Sequence, residues 1–178
     1  ATRWSAELAT RVAAGQSAIL ELGREQISHA RRGCFTSLLW NPIMKRHHRS
    51  QTMGILCDPA HPALSGFPTE AHTNWQWWSI IKNSRPFILD NAPKDYRPLV
   101  QVVDNIDRNH KLGLIFEFSV DKGKLLVCMS DLKAILDKPE GRQLYTSILE
   151  YMSSDKFRPA KTLRAFLGVH PQSHHRHR

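Results

Sequence analysis

Two apolar segments joined by a single tight turn constrain this chain more than any other feature: LGLIFEFSV (Leu112 to Val120), then Asp121-Lys122-Gly123, then KLLVCMSDL (Lys124 to Leu132). Both are rich in the aliphatic and aromatic residues that pleated strands favour, and the three residues between them leave room only for a reversal. They predict an antiparallel β-hairpin, with Gly123 at the position that a three-residue loop requires in the left-handed conformation.

Helical periodicity flanks this hairpin. Trp4, Leu8 and Val12 recur at i, i+4, i+8 and the stretch stops at Gly15, which predicts a helix over Trp4 to Ala14 with a glycine at its C-terminal end. SAILEL (Ser17 to Leu22) follows as a short strand closed by Gly23, the spacing of an α/β unit. Further strands are expected at Met53 to Cys57, Pro86 to Leu89 and Leu99 to Val103, and Gly33 to Ser50 reads as a loop-rich excursion carrying Lys45, Arg46, His47, His48 and Arg49. DPAHPALSGFP holds three prolines and one glycine in eleven residues, so it is a structured loop beyond the end of a strand, where open α/β sheets commonly bind ligands. A short helix over Trp75 to Lys82 is expected to be capped by Thr73 or Asn74. A longer one over Pro139 to Met152 is expected to begin with a D-x-x-E capping box, Asp137 to Glu140, and to present Leu144, Ile148 and Met152 as one stripe.

Charge is distributed unevenly along the chain. The 25 Lys and Arg outnumber the 16 Asp and Glu, giving a net +9. Six of those positive charges (Lys156, Arg158, Lys161, Arg164, Arg176, Arg178) follow the last acid, Asp155, so the first 155 residues carry only +3. A nearly balanced body with a basic tail gives non-specific phosphate attraction and no base reading, so no specific nucleic-acid partner is expected. No apolar run approaches the roughly 20 residues of a spanning helix, so no membrane span is expected. The start ATRWSAELATRV has neither an initiating Met nor a signal-peptide pattern, the expectation for a mature chain or an excised fragment. Cys34, Cys57 and Cys128 are widely separated and form no zinc-ligand pattern; buried thiols are the expectation, with a Cys34–Cys57 disulfide as the alternative. His47 and His48 have no further ligand nearby, so no metal site is expected, and no cofactor.

The segment TMGILCDPAHPALSGFPTEAHTNWQWW (Thr52 to Trp78), with Ile88 to Leu132 behind it, resembles the C-terminal accessory domain of bacterial glycoside hydrolase family 2 proteins of the β-galactosidase type. The likeness runs over Trp4 to Phe157 and is most specific at GILCDP, FPTE-x-H and NWQWW. It implies a three-layer α/β fold with a flavodoxin-like or class I glutamine-amidotransferase-like sheet ending in the C-terminal β-hairpin and lacking its first βα units. It also implies an accessory domain over residues 1–157, or the C-terminal part of a larger one, followed by a basic, largely disordered tail at 158–178. The implied partners are the catalytic domains of a parent glycoside hydrolase and glycan, and the implied compartment is periplasmic or extracellular if that parent degrades polysaccharide. KRHHR (Lys45 to Arg49) departs from the family, which tends to carry an apolar and aromatic loop there.

The residues themselves argue against catalysis of glycoside cleavage by this chain, because no pair of carboxylates stands out for the acid and nucleophile roles and the chain is not a (β/α)8 barrel. The alternative chemistry is a thiol hydrolase using Cys57 with His61 or His72, although Asp58-Pro59 after the cysteine lacks the amide that an oxyanion site needs. Glu70, His72, Asn74, Gln76 and Trp77 combine planar hydrogen-bonding groups with an indole, the mixture that sugars select, and are the expected glycan or domain contacts. Trp75 and Trp78, at i and i+3, are expected to face the core. Asp104, Asp107 and Asp131 read as capping residues.

Overall fold

The computed structural model describes residues 1–21, 30–35 and 52–163. Most of the Gly33 to Ser50 excursion, including Lys45 to Arg49, and the chain from Arg164 onward lie outside the described residues.

Within these limits the chain is a mixed α/β fold. Helix α1 (Ala6–Ala13) leads through Gly15, at φ 121°, into strand β1 (Ser17–Glu21). The other strands are β2 (Gly54–Cys57), β3 (Phe87–Ile88), β4 (Val100–Val103), β5 (Lys111–Val120) and β6 (Gly123–Cys128), and the other helices are α2 (Trp77–Lys82) and α3 (Pro139–Met152). Single 3-10 turns occupy Pro62–Leu64 and Leu132–Ile135. The six strands form one sheet in the order β1-β6-β5-β4-β2, and β3 pairs with β5. β1 and β6 run parallel and every other pairing is antiparallel.

The β5–β6 hairpin is the centre of the sheet. Leu112, Leu114, Ile115, Phe116 and Phe118 are all buried, and so are Leu125 to Cys128, so both faces of this hairpin are covered. Register shifts between Val100 and Gln101 where β4 meets β5, a bulge that turns successive β5 side chains inward. Beyond the bulge the two faces separate. Tyr151 of α3 donates to Glu117 at 2.8 Å on one face, and Phe118 stacks on Tyr96, 4.9 Å between centroids, on the other. Phe157 closes the core against Tyr151 at 5.2 Å.

Several local expectations are corrected. Val120 pairs with Gly123, so the turn has two residues, and the left-handed position is Asp121 at φ 49° rather than Gly123. Gly123 is required for a different reason: a methyl group there would overlap the carbonyl oxygens of Val12 and Gln16, where α1 crosses the hairpin end. The D-x-x-E box does not form. Pro139 forces the preceding Lys138 into extended backbone, so Lys138 becomes the N-cap without a side-chain bond, and the Glu140 carboxyl is lowered chiefly by the Ser79 side chain of α2. Asp131 does cap, accepting from the Ala134 amide at 3.2 Å.

The tryptophan helix is displaced by two residues. The Trp77 and Trp78 amides bond the Asn74 and Trp75 carbonyls, a non-helical turn, and α2 begins only at Trp77. Gln76 is its N-cap, without a side-chain bond, so neither Thr73 nor Asn74 caps it. The inward stripe therefore becomes Trp77, Ile80 and Ile81, while Trp75 is 88% and Trp78 40% exposed. Past residue 157 the chain stays docked: Thr162 bridges Ser119, Lys161 pairs with Asp95, and Leu163 packs on the core. Cys34, Cys57 and Cys128 are free thiols, so the Cys34–Cys57 disulfide is absent.

Candidate functional site

The loop after β2 does what its prolines and histidine require. His61 is the N-cap of the Pro62–Leu64 turn, its Nδ1 accepting from the Ala63 amide at 3.1 Å, and Asp58 caps the preceding turn by accepting from Ala60 at 2.9 Å. This loop, the segment 95–99, Glu117 and Arg158 surround a cleft of about 640 Å3. Cys57 opens into it, and burial, reinforced by Asp58, pushes the thiol above its ordinary range. Burial lowers His61 despite Asp58, so its ring is neutral at physiological pH. With Nδ1 occupied as an acceptor, the remaining proton sits on Nε2, and His61 has no free lone pair to take a proton from Cys57. The thiol itself donates to the Glu70 carbonyl at 3.3 Å.

His72 is not among the residues that line this cleft. It bridges Leu56 in antiparallel pairing, so its ring lies on the Leu56 side of β2, while Cys57 points the other way. Its Nδ1 donates to the Thr73 carbonyl at 3.1 Å. The trio Cys57, His61 and His72 is thus not assembled as a nucleophile, a base and an orienting group. In this cleft the Glu117 carboxyl is raised by burial and only partly relieved by the Tyr151 hydroxyl. The same pairing, with burial, drives the Tyr151 phenol upward.

The NWQWW segment builds a second surface. Gln76 spends its amide on the Pro68 carbonyl at 2.7 Å, tying the loop to α2. Trp77 is wholly buried: its Nε1 donates to Thr69 at 2.8 Å and its ring meets Phe67 edge-on at 5.2 Å. Trp77 therefore cannot contact a glycan, a correction that follows from where α2 begins. Outward, Trp75 and Trp78 stand with Phe35, whose ring lies 6.0 Å from that of Trp78, and with Thr73 and Asn74 they line a shallow, almost wholly apolar depression of about 260 Å3. Asn74 Oδ1 is buried and finds no hydrogen-bond partner among the described residues. Glu70 and His72 are exposed.

Both surfaces lie within residues 1–166, which match the model of a family described as a domain of unknown function, DUF8487. The chain belongs to that family. No curated protein matches it. In this DUF8487 domain, the residues that sequence reasoning missed are Trp75, Trp78 and Phe35, which form the outward aromatic face, and Tyr151, which holds Glu117. Counting Trp75 and Trp78 as one helical stripe hid the first group; the two-residue delay of α2 carries no sequence signal beyond the poor helix propensity of Thr73-Asn74.

Proposed function

We propose that this chain is a non-catalytic accessory domain of a carbohydrate-active enzyme of the β-galactosidase-like glycoside hydrolase type, packing on the catalytic portion through its aromatic face and contacting glycan there. The observation that carries this reading is the outward pair Trp75 and Trp78 beside Phe35. Two exposed indoles beside the half-buried Phe35 ring around one shallow depression are a contact surface, since large apolar groups gathered in one place are otherwise buried. The finer fold assignment, a flavodoxin-like or glutamine-amidotransferase-like sheet without its first βα units, belongs to this reading and rests on the motifs GILCDP, FPTE-x-H and NWQWW. Its sheet support is the parallel β1–β6 pair preceded by α1.

The thiol-hydrolase alternative finds less support, because the Cys57 thiol is raised, bonded to a carbonyl and without a competent base. The test is the state of the protein in its source cells. An antibody raised against the chain should detect a species much larger than 20.4 kDa that cofractionates with glycosidase activity. A band at 20.4 kDa, free of that activity, would contradict the accessory reading.

A further inference from the structure

Trp78 separates two clefts of opposite character. On one side lies the apolar depression with Phe35 and Trp75; on the other is a cleft of about 550 Å3 lined by Trp78 with Arg32, Lys82, Arg85 and Lys138. Four exposed cations thus gather around one side of an indole that is itself partly exposed. The Lys82 ammonium sits 5.8 Å from the centre of the Trp78 ring. Among the described residues, none of the four forms a salt bridge, although Lys138 helps to hold the Glu140 carboxyl below its ordinary range.

The backbone that carries the two arginines is fixed. The amides on either side of Arg32 are held at Arg31 N to Pro86 O, 2.9 Å, and Gly33 N to Ser84 O, 3.1 Å, and the Arg85 amide bonds the Met129 carbonyl at 2.8 Å. Like charges around one cleft repel one another, and an anion relieves that cost. Guanidinium groups match the planar or tetrahedral oxygens of carboxylate and sulfate in paired hydrogen bonds.

We propose that this face binds an anionic glycan, with a pyranose ring against Trp78 and its carboxylate or sulfate among Arg32, Lys82, Arg85 and Lys138. The inference rests on the glycan-contact reading above and narrows it to a ligand class. Nucleic acid fits the observations less well, because these four cations surround one cleft beside an indole and do not form a track for successive phosphates. Several other cations are engaged: Lys133 with Glu21 at 2.6 Å, Arg108 with Asp104 at 2.6 Å, Lys161 with Asp95, and Lys111 with the Tyr96 carbonyl.

The test is calorimetric titration of the full chain with four probes of similar length: oligogalacturonate, a sulfated oligogalactan, a neutral oligogalactan and a single-stranded oligonucleotide. At least one anionic sugar should bind ten times more tightly than the neutral one, and more weakly as salt rises. The double variant Lys82→Gln, Arg85→Gln should lose at least tenfold of that affinity, as should Trp78→Ala, with circular dichroism melts confirming that each is folded. Because every variant keeps the basic C-terminal segment, an unchanged affinity in the double variant would place the anion elsewhere and overturn the inference. Equal binding of neutral and anionic sugars, lost in Trp75→Ala, would overturn it while leaving glycan contact intact. Tighter binding of the oligonucleotide would reassign the face to nucleic acid, and absence of binding by all four probes would sink both the inference and the glycan contact on which it rests.

Discussion

Asp104 has no exposed side-chain surface, yet it keeps its charge. Burial alone would raise its carboxyl, but the Arg108 guanidinium at 2.6 Å and the amides of His110 and Asn105, at 3.1 and 2.8 Å, outweigh burial and leave it below the ordinary range. A lowered carboxyl stabilises the fold above its unfolded pKa, about 3.9, and that stability is lost as pH falls through the lower folded value. Chemical denaturation between pH 7 and pH 2 should therefore show an acid limb that flattens in Asp104→Asn. At pH 7 the variant should cost about 3 kcal/mol, the low end for breaking a buried ion pair, because Arg108 keeps some solvent contact. An unchanged limb would mean that other carboxylates set it. The tryptophans part in the same way. Trp77→Ala should cost about 3 to 5 kcal/mol as a fully buried aromatic, and Trp75→Ala about 0.5 kcal/mol or less as a surface residue; paired urea melts with comparable losses would contradict this assignment.

At the scale of elements, the hairpin, β1, β2, β4 and α3 were all legible, because each rests on a strong local pattern: alternating or continuous apolar residues between turn formers, or a sustained i, i+4 stripe. The ends of α3, Pro139 and Met152, were legible too, but the start of α2 and the hairpin turn were not. Whether Asp121 or Gly123 takes the left-handed position depends on how β5 and β6 register, and whether Trp75 or Trp77 faces inward depends on where α2 starts. Both are decided by packing from distant parts of the chain. Gly123 shows the same dependence, since its neighbours Val12 and Gln16 lie more than a hundred residues away in sequence. Gly123→Ala should destabilise the protein by about 1 to 3 kcal/mol through overpacking. Hydrogen exchange should rise across α1 and β1 while the β5–β6 ladder stays protected. Loss of protection in the ladder alone would mean that the turn itself, and not the helix crossing it, requires glycine.

Across the whole molecule, the α/β class was readable from alternating helix and strand signals, but the pairing was not, since sequence periodicity does not distinguish parallel from antiparallel neighbours among buried strands. Of the candidate contacts, Glu70 and His72 stand at the surface, Asn74 is half-buried, Gln76 ties a loop and Trp77 is core, so the site shifts to the outward indoles. We propose that Trp75, Trp78 and Phe35 form a face that meets another surface. Hydroxyl-radical footprinting read by mass spectrometry tests it most directly, comparing the isolated chain with the same chain assembled on a glycoside hydrolase catalytic portion. Trp75 and Trp78 should oxidise readily in isolation and become protected on assembly, with Trp77 protected in both states. Trp75 and Trp78 oxidising equally in both states, or Trp77 oxidising in the isolated chain, would contradict the account.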